Sequence, residues 1–140
     1  MNRSTQLLGY AGLIPFLALP WLVMSSGTEE ADRFFTLFLH YSGIILGFMA
    51  GVIWPVLYPN ERSSALAILA VTPAVLGFLA IAFMANLALL ALAALFVGMR
   101  MVEIFTSIDQ RYPSRYRSLR WQLTVVVVGC HLWLYWLIDT

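Results

Sequence analysis

Between Ala65 and Val97 the chain carries no charged residue. A helix in a small water-soluble domain keeps a polar face toward solvent, and this run has none. It is also too long for a single membrane crossing, which takes roughly 20 apolar residues. A turn at Ala85-Asn86 resolves it into two spans, predicted at 65–84 and 87–108. Thr72, Pro73 and Gly77 offer the alternative of a broken helix.

The same arithmetic divides the rest of the chain. A first span is predicted at 5–24, with Pro15 and Pro20 inside it, where neighbouring helices can satisfy the freed carbonyls. Arg3, the apolar run and Ser25-Ser26-Gly27 also have the order of a cleaved leader. The long proline-interrupted core and the lack of an A-x-A site favour a retained span. The second span is predicted at 34–58 and the fifth at 121–138, after the basic loop Asp109–Arg120. Hydrophobic residues make up 61% of the 140 and charged residues 11%, with a mean hydropathy of +0.85, so five spans leave no room for a soluble catalytic domain. The expected fold is an all-α, polytopic transmembrane bundle forming one domain.

Arginine placement orients it. With the N-terminus inside, Arg3, Arg62, Arg111, Arg115, Arg117 and Arg120 fall on the cytoplasmic side and Arg33 lies outside with Glu29, Glu30 and Asp32. Trp21, Trp133 and Trp136 then form an outer aromatic belt, and Trp54, Tyr58, Tyr112, Tyr116 and Trp121 an inner one. The expected placement is N-in, C-out in a bacterial inner membrane.

Composition excludes several chemistries. All eight basic residues are arginine, so neither a lysine Schiff base nor a P-loop can form. The single Cys130 permits no internal disulfide, CxxC pair or four-thiolate metal site, and no metal is expected. Neither H-E-x-x-H nor G-x-S-x-G occurs, and Ser42 near His40 is not by sequence a hydrolase dyad.

Gly43, Gly47 and Gly51 recur every four residues in the second span, and His40, Trp54 and Tyr58 extend nearly the same stripe. Small residues on one face let two backbones approach in lipid, so this glycine-zipper stripe reads as a helix-packing seam and makes the second span the expected packing centre. His40 and His131 sit at matching depths, roughly 9 and 10 Å from the outer ends of their spans. Two imidazoles at one level suit an axial haem b or a quinone carbonyl. The plainer reading is that each bonds a carbonyl or hydroxyl across a helix contact, and no cofactor is the first expectation.

Arg100 and Glu103 share a helix face in the fourth span, as an internal ion pair or, alternatively, a relay with Asp109 in a small oligomeric carrier. Arg111, Arg115, Arg117 and Arg120 read as a headgroup and topology signal rather than a nucleic-acid surface, because they lie between two spans.

Three stretches carry a resemblance: LGYAGLIPF from Leu8 to Phe16, YSGIILGFMAGVIW from Tyr41 to Trp54, and YRSLRWQLT from Tyr116 to Thr124. Together they resemble family 3429 among the domains of unknown function, which includes the mitochondrial transmembrane protein 69 group. The family pattern has a histidine before the tryptophan of the second span and a glycine after it, where this chain has Ile53 and Pro55. The resemblance implies a small polytopic inner-membrane protein and no reaction. The reading is an accessory, assembly or scaffold protein whose partners are lipids and other membrane proteins or further copies of itself. A haem or quinone protein using His40 and His131 is the alternative.

Overall fold

The computed structural model describes residues 3–53 and 64–139. Among these described residues six α-helices follow in order: α1 (Arg3–Ala11), α2 (Ile14–Ser25), α3 (Thr28–Gly51), α4 (Ser64–Phe83), α5 (Ala88–Phe105) and α6 (Ser114–Asp139). Short 3-10 turns occupy Ala85–Leu87 and Ile108–Arg111, and no strand occurs among the described residues. The long uncharged run therefore divides at Ala85-Asn86, and α4 continues through Pro73 rather than breaking there.

The first span breaks instead. Pro15 has no N–H to return to the carbonyl of Ala11, and the chain turns at Gly12-Leu13 between α1 and α2. A neighbouring helix supplies a donor at the break: Tyr41 Oη donates to Gly12 O at 2.7 Å. Tyr10 Oη donates to Gln122 Oε1 at 2.6 Å, tying α1 to α6.

Two boundaries move outward from the sequence expectation. The second span starts at Thr28 rather than Phe34, with Glu29 and Glu30 in its first turn, where carboxylates complement the helix dipole. The fifth starts at Ser114, just after Pro113, so Arg115, Arg117 and Arg120 lie on a helix rather than in a loop. The end of the second span, with Trp54 and Tyr58, lies outside the described residues, as does Arg62.

Polarity is distributed as lipid demands. Phe48, Phe78, Phe83 and Val125 are exposed, while Ser42, Arg100, Glu103, Arg120 and His131 are buried. A water-soluble monomer rarely exposes a continuous apolar surface of this kind. Among the described residues four helical stretches are long and apolar enough to cross a membrane: Arg3–Ser25 taken across its break, Thr28–Gly51, Ala88–Phe105 and Ser114–Asp139. The shorter apolar helix α4 completes a bundle of about five, and the protein is a multi-pass membrane protein.

Helices α2, α3, α5 and α6 enclose the core, each contributing one ring. Phe16, Phe38, Phe96 and His131 meet with centroid separations from 4.8 to 6.4 Å, edge-on or tilted as aromatic quadrupoles prefer. Helix α4 packs outside this group against α3 and α5. Its buried positions are small or cyclic: Ala70, Pro73, Gly77 and Ala80. A Cβ at Gly77 would lie 2.8 Å from Leu46 Cδ2, so glycine allows this close approach to α3. Among the described residues α5 has the most buried face, through Leu89, Leu92, Phe96, Met99, Arg100 and Glu103, and α3 packs against α2, α4 and α5.

Candidate functional site

The densest chemistry lies where α5 ends and α6 begins. Arg100 Nη1 donates to Glu103 Oε1 at 3.1 Å, forming the ion pair expected from their spacing. Arg120 reaches the same carboxylate from α6, with Nη2 at 2.6 Å from Oε2 and Nε at 3.1 Å from Oε1. This fork-on-fork contact is the geometry arginine favours for a carboxylate. Tyr112 Oη adds a hydrogen bond to Glu103 Oε2 at 2.5 Å. A single carboxylate thus serves two guanidinium groups and a phenol, all three of them buried.

Asp109 balances the second positive charge. It lies 2.5 Å from Arg100 Nη2, a charge contact off the hydrogen-bond direction, and Arg117 Nε is 3.9 Å from its other oxygen. Trp121 stacks on Arg100 with 4.6 Å between guanidinium carbon and ring centre, and Arg120 lies over Tyr112 at 5.4 Å. Burial, reinforced by the hydrogen bond to Glu103, raises the Tyr112 hydroxyl well above the usual phenolic range despite the opposing pull of Arg120. These contacts hold Arg100 and Glu103 in a closed network, which is chemistry suited to fixing helix positions.

Arg120 was grouped in the sequence with the headgroup arginines, and its burial corrects that assignment. A periodic signal was available: Arg120, Thr124, Val127, His131 and Leu134 follow at steps of four and three and all are buried. Arg115 is exposed, Arg117 is half-exposed and Arg111 is half-buried, all near the start of α6. Tyr112, read as a belt residue, belongs to the network, as does Asp109, which the relay alternative joined to Arg100 and Glu103.

The two histidines match in level and differ in direction. His131 contacts Ser42, which is two residues from His40 on α3, so the imidazoles lie within about 3 Å in height but about 200° apart around α3. A carbonyl only accepts, so His131 Nδ1 donates to Val127 O at 2.7 Å, and in the neutral ring Nε2 accepts from Ser42 Oγ at 2.6 Å. Both ring nitrogens of His131 are thus occupied, inside the Phe16, Phe38 and Phe96 cage.

His40 faces outward. It lines a groove of about 550 Å³ between α3 and α4, together with Gly43, Ala74, Phe78, Ile81 and Ala82. A Cβ at Gly43 would lie 2.7 Å from Ile81 Cδ1, and one at Gly47 3.9 Å from Ala74 Cβ, so this part of the glycine stripe faces α4. No described residue lies within 4 Å of the corresponding position at Gly51. Trp54, the last member of the stripe, is outside the described residues. Among the described residues, no group of three His, Cys, Asp or Glu side chains is placed to hold a metal ion.

Comparison with known proteins bears on the whole chain. The chain is 32% identical over 128 residues to transmembrane protein 69 of Xenopus tropicalis, a match covering 86% of this chain and 49% of that protein. It spans about half the length of that relative. No solved structure matches. Residues 1–136 match the family described as "Protein of unknown function (DUF3429)", and the chain belongs to that family.

Proposed function

We propose that the chain is an accessory or assembly protein of a membrane complex, docking through its α3–α4 flank onto one transmembrane helix of another membrane protein. His40 carries this reading. Its imidazole is exposed along an apolar groove, a position where an unsatisfied polar group costs free energy that a partner's hydroxyl or carbonyl would recover. The small side chains of Ala74 and Ala82 beside it leave room for a second backbone to approach. Lipid tails cover apolar surface equally well, so it is the imidazole that argues for a protein occupant. In this reading the arginine-rich end of the bundle faces the cytoplasm of a bacterial cell.

A pulldown in gentle detergent tests the proposal. Wild-type protein recovers one stoichiometric membrane partner, and Ala82→Phe, which fills the groove from an exposed position, loses it. A monomeric wild-type protein with no partner would contradict the docking role, and recovery of only a second copy of this chain would replace the accessory role with self-association.

A further inference from the structure

The flank between α5 and α6 carries a separate groove of about 340 Å³. Arg100 and Trp121 form one end, and Val125, Val128, Gly129 and Leu132 line its length. The volume falls within the roughly 300–1,000 Å³ typical of small-molecule sites. From Trp121 to Leu132 the helix rises about 16 Å, close to half of the roughly 30 Å hydrocarbon core. The groove therefore has the length of one leaflet's acyl chain, with a cation at its interfacial end.

We propose that this groove binds one acidic phospholipid, with an acyl chain along the Val125–Leu132 face and its phosphate at the Arg100 end, where a shift of the Trp121 ring off the guanidinium opens Nε to a phosphate oxygen. Arg100 is 1% exposed, yet Nε has no hydrogen-bond acceptor among the described residues. A buried guanidinium donor without an acceptor is costly, and a phosphate oxygen satisfies it with a charge-assisted bond. The local charge favours an anion: among the described residues, Arg100, Arg117 and Arg120 face two carboxylates, Glu103 and Asp109. Trp121, stacked on Arg100 and 40% exposed, sits where indole rings gather at the headgroup boundary. Gly129 leaves the floor of the groove open, with no described residue within 4 Å of where a Cβ would be. Basic pockets between transmembrane helices are a general means of holding anionic headgroups.

Native mass spectrometry of the full chain in mild detergent tests this, with phosphatidylglycerol or phosphatidylcholine of identical acyl chains added. The expected result is one retained phosphatidylglycerol per chain, bound at least about tenfold more tightly than phosphatidylcholine, a difference of about 1.4 kcal/mol. Among the described residues neither substitution meets a neighbour: Gly129→Leu fills the groove and abolishes the selective binding, while Gly51→Leu on α3 preserves it. Arg100→Gln removes the headgroup preference while acyl contacts persist. If that variant fails to fold, Gly129→Leu still decides the matter. Equal retention of both lipids, unchanged selectivity in Gly129→Leu, or displacement of the lipid by millimolar inorganic phosphate alone would overturn the proposal.

Discussion

Arg120 on α6 and Glu103 on α5 form a two-point ion pair inside the bundle, with Nη2 2.6 Å from Oε2 and Nε 3.1 Å from Oε1. The pair fastens together two helices whose connection, Thr106 to Pro113, is otherwise one short 3-10 turn. Removing one member of a buried pair leaves the other charge uncompensated, which costs about 3–5 kcal/mol. Glu103→Gln leaves Arg120 without a carboxylate, while Arg100 keeps Asp109. Its unfolding in mixed micelles is expected at markedly lower denaturing-detergent fraction than wild type. An unfolding curve superimposable on wild type would show that the network does not hold the fold.

The Ser42–His131 contact predicts non-additivity. Ser42→Ala leaves Nε2 of a fully buried imidazole without its donor, and a loss of about 1–3 kcal/mol is expected. His131→Phe keeps a ring in the Phe16, Phe38 and Phe96 cage but strands the serine hydroxyl, with a similar loss. The double variant removes both polar groups and is expected to be more stable than either single one. A double-mutant cycle with additive losses would show that the hydroxyl and the imidazole are energetically independent.

Much of this organisation is legible in the sequence, and the illegible remainder has physical causes. The five apolar segments, the turn at Ala85-Asn86 and the Arg100–Glu103 pair follow from hydropathy and helical spacing. Charge count alone assigned Arg120 to the surface, because a run such as RYRSLR reads as headgroup-facing until its helix is known to begin at Ser114. Depth along a span told the level of His40 and His131 correctly, yet azimuth depends on which neighbours α3 meets. There Ser42 turns inward and His40 outward. The break at Gly12-Leu13 needed the Tyr41 donor, which lies 29 positions away in sequence.

Tyr112, between α5 and α6, supplies a pH prediction. Burial and the bond to Glu103 raise its pKa above the ordinary 10.0, so as pH climbs past that value the unfolded chain loses a proton that the native chain keeps. The stabilisation is complete below the ordinary value and falls as pH rises above it. Ultraviolet titration of native protein is expected to show the same number of ionising tyrosines for wild type and Tyr112→Phe until unfolding begins. One fewer in the variant would mean that Tyr112 ionises in the folded state.

The docking reading rests on what covers His40, and a cross-link formed inside the native membrane reports that directly. A photoreactive side chain at Phe78, which is exposed in the α3–α4 groove, is expected to yield one discrete adduct with a membrane protein. His40→Leu is expected to weaken that adduct several-fold, while the same probe at Phe105, exposed at the end of α5, gives no discrete protein adduct. A probe at Phe78 that labels only lipid, in wild type and His40→Leu alike, would contradict the account.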